Sequence, residues 1–127
     1  MNKILLVGAG GFLGAVFRYA VTGWVQQITH SIAFPHGTFA VNILGCFFMG
    51  LLAYLADARM GLAPEMRLLL MVGLLGSFTT YSTFSSETLQ LLQDQRYLFA
   101  FLNMGAHLAV GLASVVLGRF SAAILWR

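Results

Sequence analysis

The sequence predicts an all-α membrane protein, four transmembrane helices with a break in the third, and three observations carry that prediction. Of 127 residues, 59% are hydrophobic and only 9% are charged, against about 45–50% and about 25% in a soluble domain. So few charges cannot coat a water-exposed surface. The apolar residues fall into four runs, Ile4 to Ile28, Gly37 to Ala56, Met66 to Leu92 and Tyr97 to Trp126, each at or above the about 20 residues that cross hydrocarbon as a helix. In the middle of the third run, a cluster of hydroxyl residues interrupts its apolar surroundings.

The first run follows Met1-Asn2-Lys3 and continues past Phe17 without a small-residue cleavage site, so it reads as a retained helix rather than a signal peptide. Gly10 and Gly14 form a small-xxx-small pair suited to close helix contact. Arg18 lies one turn further on. A guanidinium in a spanning helix costs at least about 2.5 kcal/mol unless it pairs or snorkels, so it faces protein or water, as an anchor or as an attractor of anions.

Three breaks divide the runs: His30 to His36 with Pro35, Asp57 to Glu65 with Gly61 and Pro64, and the compact polar turn Gln93 to Arg96. In the second run Thr38, Asn42, Gly45 and Met49 recur at helical spacing and form one inward stripe centred on Asn42. A carboxamide in hydrocarbon needs partners, from another helix or from a permeating species.

The third run reads Gly76-Ser77-Phe78-Thr79-Thr80-Tyr81-Ser82-Thr83-Phe84-Ser85-Ser86-Glu87, eight hydroxyl residues in twelve positions. Ser, Thr and Gly satisfy backbone groups freed where a spanning helix is interrupted, which predicts a break near Gly76 to Thr80. Carbonyls released there are hard ligands suited to a small cation. Tyr81 and Phe84 are expected on a common face with Ser77 and Thr88. In the fourth run Asn103, His107 and Gly111 share a face, with His107 either a hydrogen-bonded packing element or a proton relay.

No run is left for a second unit, so residues 1–127 form one transmembrane domain in the lipid bilayer. The net charge of +3 comes from dispersed Lys and Arg, which excludes a nucleic-acid surface. Lys3, Arg59, Arg67, Arg119 and Arg127 fall toward one membrane face and Arg18 and Arg96 toward the other, a bias that favours cytoplasmic termini. Cys46 is the single cysteine, and no cluster of Cys, His or carboxylate offers a transition-metal site.

Taken together, Gly10-Gly11-Phe12-Leu13-Gly14 with Arg18, then Gly37-Thr38-Phe39-Ala40-Val41-Asn42, then Gly76 to Glu87 resemble the Fluc (CrcB-type) family of bacterial fluoride channels, in order and along the whole chain. The resemblance implies a channel, not an enzyme, that releases toxic cytoplasmic fluoride across the bacterial inner membrane. It also implies an antiparallel, dual-topology homodimer with two pores. By motif, Asn42 resembles the pore asparagine, Tyr81 and Phe84 the aromatic pair along the ion path, Thr83 a hydroxyl beside it and Arg18 the vestibule arginine. Thr38 joins this pore set, and His107 and Asn103 are the polar contacts expected from the fourth helix. Gly76 and Thr79 resemble the residues whose backbone carbonyls hold a structural Na+ at the dimer centre. Tyr81 stands where the family usually has Phe, and Gly111 where some members have a pore-side serine.

Two other classes fit parts of the pattern. A small proton-coupled multidrug exporter needs an intramembrane acid, for which Glu87 is the candidate. An intramembrane hydrolase could draw on Ser82 or Ser85 with His107 and Glu87. An exporter needs Glu87 and a proton gradient, a hydrolase needs one serine, and a channel needs neither.

Overall fold

A computed structural model describes residues 2–30, 33–57 and 61–126. Arg59 and Arg127, which contribute to the charge bias, lie outside the described residues. Four helical spans cross the molecule: α1 (Asn2–Thr29), α2 (His36–Asp57), a composite third span (Pro64–Gln93) and α6 (Tyr97–Leu125). Each boundary lies within two residues of the apolar run that predicts it. The third span is built from α3 (Pro64–Arg67), a π-helical stretch (Leu68–Leu75), α4 (Gly76–Phe78) and α5 (Tyr81–Gln93). Pro64 opens it at the first helical position, where its missing N–H removes no helical bond.

Two helix pairs organise the spans. α2 packs along α6, and α1 packs along the π-helical stretch, with α1 and α2 joining the pairs. Both pairings depend on missing side chains. A Cβ at Gly118 would lie 2.0 Å from the Phe47 carbonyl oxygen and one at Gly50 would lie 2.0 Å from that of Val115. On the other pair, a Cβ at Gly10 would meet the Leu69 carbonyl oxygen at 2.1 Å and one at Gly14 that of Leu74 at 2.1 Å. The expected small-xxx-small contact is therefore backbone against backbone, the main source of helix association where lipid removes the hydrophobic drive.

The interior is small. Val41, Leu75 and Phe78 form the buried centre, with Val21, Met49, Leu52 and Leu74 packed around it. The accessible surface is 8263 Å², against about 6600 Å² for a compact monomer of the same mass. The chain is thus an open layer of helices.

The helix ends are closed locally. At the end of α5, Arg96 N–H donates to the Leu91 carbonyl at 2.8 Å and Gln95 N–H to that of Leu92 at 3.1 Å, the paired bonds of a Schellman turn. Gln95 takes the left-handed conformation there, with φ 57°. Arg67 donates to the carbonyls of Ala56 and Leu62, tying the start of the third span to the last turn of α2. Arg119 meets Asp57 at 3.2 Å on an exposed surface, a pair worth about 0–1 kcal/mol.

Two substitutions test this packing in opposite directions. Gly118→Val should destabilise the protein by about 1–3 kcal/mol through overpacking of α2 against α6. Gln95→Gly should stabilise it by about 1 kcal/mol by removing the left-handed penalty. Thermal unfolding of the purified protein reads both, and equal midpoints for the two variants would refute the assignment.

Candidate functional site

The third span breaks where its hydroxyl residues cluster. Thr79 (φ −81°, ψ 159°) and Thr80 (φ −150°, ψ 115°) are extended between α4 and α5, inside the predicted interval. Such a break strands backbone donors and acceptors in a medium without water, where each unsatisfied group is costly. Asn42 of α2 supplies the missing partners. Its Oδ1 accepts from Thr80 N–H at 2.8 Å and its Nδ2 donates to the Thr80 carbonyl at 3.1 Å. One side-chain amide thus pairs with both main-chain groups of one residue.

Thr80 also opens the next helix. Its hydroxyl oxygen accepts from Thr83 N–H at 3.2 Å, the N-cap bond of α5, and donates to Thr83 Oγ1 at 2.9 Å. Gly45, one turn after Asn42, makes room for this geometry. A Cβ there would lie 2.1 Å from Thr79 Cγ2.

Polar contacts continue from the break into α6. Asn42 Nδ2 lies 3.2 Å from His107 Nε2, and His107 Nδ1 lies 2.9 Å from the Asn103 carbonyl oxygen. The His107 ring packs against Phe84 at 4.4 Å and Phe39 at 5.1 Å between centroids. Tyr81 follows at 5.7 Å from Phe84. Asn103, fully buried, donates from Nδ2 to Thr88 Oγ1 at 2.9 Å, and Thr88 donates to the Phe84 carbonyl at 2.7 Å. This path fixes Phe84 relative to α6.

Two open clefts flank the break, and Thr80 lines both. One, about 440 Å³, holds Asn42, Thr79, Tyr81, Phe84 and His107. The other, about 690 Å³, holds Arg18, Gln26, Thr38 and Thr83. The structure therefore divides the predicted pore residues into an amide and aromatic set and an arginine and hydroxyl set. Thr38 donates to Glu87 Oε1 at 2.7 Å. Hydroxyl and amide donors, positive ring edges and one guanidinium form a surface for a small anion.

One expectation fails. Ser77 does not share a face with Tyr81, Phe84 and Thr88, because the extended residues reset the helical phase. It turns to α1 instead, donating to the Gly11 carbonyl at 2.8 Å. The hydrolase arrangement also lacks geometric support: both ring nitrogens of His107 meet Asn103 and Asn42, while Ser82 Oγ lies 3.3 Å from Thr80 Oγ1. Thr80 and Phe39 are site residues that sequence reasoning missed. A Thr three residues before Thr83, at the start of a helix, was the available signal for Thr80 as a cap.

The break also frees two carbonyls. Thr80 N–H, the helical partner of the Gly76 carbonyl, is turned to Asn42, and the Thr79 carbonyl precedes the N-cap of α5 and so lacks an intrahelical donor. Neutral hard oxygens of this kind fit Na+. Among the described residues, no group of three or more His, Cys, Asp or Glu side chains could hold a metal ion.

Comparison with known proteins gives a consistent result. Residues 5–119 match the family model described as CrcB-like protein, Camphor Resistance (CrcB). The chain is 46% identical over 122 residues to "Fluoride-specific ion channel FluC 1" of Methanosarcina acetivorans, covering 96% of this chain and 92% of that protein. It is 47% identical over 119 residues to "Fluoride-specific ion channel FluC" of Shewanella woodyi, with 94% of each chain covered. It is 42% identical over 118 residues to the protein of that name from Maridesulfovibrio salexigens, with 93% of each covered.

Asn42→Ala should leave both main-chain groups of Thr80 unpaired, at about 1–3 kcal/mol each. Faster amide exchange confined to residues 79–82 is the expected reading in hydrogen–deuterium exchange. Unchanged protection there would show that the break does not depend on Asn42.

Proposed function

The chain belongs to the CrcB-like family, and on that footing we propose that it is a fluoride-selective channel through which cytoplasmic fluoride leaves the cell by passive electrodiffusion. It is a multi-pass membrane protein, and its relatives are named as channels, not enzymes. The observation that carries this reading to particular residues is the placement of Asn42 in the aromatic cleft, bonded at the helix break to Thr80, which also lines the hydroxyl-bearing cleft. Fluoride is small and accepts hydrogen bonds strongly. Uncharged donors offset its lost hydration without the trap of a full positive charge, and weak sites in series allow it to leave.

In this reading Arg18 draws the anion into the wider cleft and Thr83 supplies a hydroxyl donor, while Thr38, which lines the same cleft, gives its proton to Glu87. Asn42 then offers N–H, and the edges of Phe84 and Tyr81 offer partial positive charge. Arg18 is the one cation of this set, and it stands in the wider cleft rather than beside Asn42.

Two pores in an antiparallel homodimer complete the proposal. Support comes from the large accessible surface of the single subunit and from α5, where Tyr81, Ser82, Thr83, Ser86 and Gln90 are all exposed. Such a polar stripe at membrane depth calls for cover by protein. A second copy provides it. The freed carbonyls of Gly76 and Thr79 would hold a structural Na+ between the subunits. Bound there, the ion would satisfy them and add positive potential beside the ion path.

The exporter alternative rests on Glu87, whose Oε1 accepts from Thr38. A dependence of transport on a proton gradient would favour it.

Reconstitution tests the channel reading. Liposomes loaded with potassium fluoride and carrying the protein should release fluoride on addition of valinomycin while retaining chloride, without a proton gradient. Asn42→Asp should abolish release from a folded protein, because the carboxylate repels the anion and loses both donors. Undiminished flux through Asn42→Asp would remove Asn42 from the path.

A further inference from the structure

The hydrogen-bond roles around Asn42 determine one another. Thr80 presents a donor and an acceptor to the carboxamide, so Oδ1 must face Thr80 N–H and Nδ2 must face its carbonyl. The atom directed at His107, 3.2 Å from Nε2, is then Nδ2, which can only donate. Nε2 must therefore carry a lone pair. Its counterpart Nδ1 lies 2.9 Å from the Asn103 carbonyl oxygen, which can only accept, so the ring proton sits on Nδ1. One neutral tautomer satisfies every atom of the set.

We propose that His107 is a positioning residue for the ion path: its Nε2 lone pair holds the second N–H of Asn42 in place, and protonation of the ring breaks that hold and lowers fluoride passage. The inference rests on the channel reading. With its first N–H and its oxygen engaged by Thr80, Asn42 has one donor left, and it is held by His107, whose ring packs against Phe84. An approaching anion takes over an N–H already fixed in direction, and the ring stays fixed between Phe84 and Phe39. A proton on Nε2 would set N–H against N–H and place a full charge beside the path.

The titratable groups that face the same cleft are Cys46 of α2 and Tyr81 of α5. Glu87 lies about one turn beyond Phe84 on α5 and is bonded to Thr38. A thiol and a phenol have no basic lone pair that takes up a proton in mild acid. A carboxylate does take one up, so the variants must separate Glu87 from His107.

Fluoride currents in planar bilayers make the test, since neutral hydrogen fluoride carries none. Between about pH 8 and about pH 5, the range in which His changes charge, the wild-type current should fall about fivefold, equivalent to one hydrogen bond of about 1 kcal/mol. His107→Gln keeps an acceptor oxygen without titrating, and should conduct near the wild-type level with no fall in acid. His107→Leu lacks an acceptor and should conduct about fivefold less at both values. An acid fall that persists in His107→Gln, or wild-type conduction by His107→Leu, would overturn the proposal. Nitrogen-15 NMR of the wild-type ring supplies a readout independent of transport. A neutral Nδ1–H tautomer is expected, and a neutral Nε2–H tautomer would overturn the latch. Absence of current at about pH 8 from folded protein would remove the channel reading itself, while the tautomer still decides whether His107 accepts from Asn42.

Discussion

Every backbone polar group in a membrane span needs a partner, and here the demand is concentrated at Thr79 and Thr80. A helix interrupted in hydrocarbon is tolerated only where other groups replace the lost bonds. Asn42 does this with a geometry that copies a peptide, one N–H and one C=O facing their complements. The remaining features follow from that pairing. Gly45 lacks a side chain because Thr79 must approach α2. Thr80 then caps α5, which starts a new helix with its own phase. That phase directs Phe84 and Thr88 at α6.

The same pairing brings a polar centre into an apolar molecule without a buried net charge at its core. Asn42, Thr80, Asn103 and His107 are neutral donors and acceptors in contact with one another. Formal charges lie beside it rather than in it: Arg18 in the wider cleft, Glu87 against Thr38, and Arg119 with Asp57 on an exposed surface. On the proposed ion path, an anion crossing such a centre would exchange one set of neutral partners for another. No step requires it to leave a fixed cation in low dielectric, where Coulomb attraction would hold it.

Much of this was readable from the sequence, for reasons that differ by element. The spans follow from length and apolarity, because bilayer thickness sets both. The break follows from Gly76 and the crowd of hydroxyls after it, since no other use of eight such residues fits lipid. Asn42 stands out because an amide at membrane depth needs a partner. Its partner did not stand out. The bond to Thr80 joins residues 38 apart in sequence, and periodicity within one helix carries no information about which groups face each other across two. Ser77 was misplaced for a related reason: a face extrapolated through a break assumes a phase that the break destroys. The π-helical stretch Leu68–Leu75 has an ordinary apolar composition and no sequence signal. His107 was visible as a residue but not as an acceptor, because its tautomer is set by Asn42 and Asn103 together.

The turn between α5 and α6 sets the register of everything that follows it. Its closed bonds, Arg96 to Leu91 and Gln95 to Leu92, join two helices that must hold Thr88 against Asn103 and Phe84 against His107. Adding or deleting one residue in that turn would swing every later side chain by about 100° around the α6 axis. Asn103 and His107 would leave the site together while Gly118 left its contact with α2. A change in the length of this turn would therefore need a second, compensating change before the end of α6 to restore these contacts.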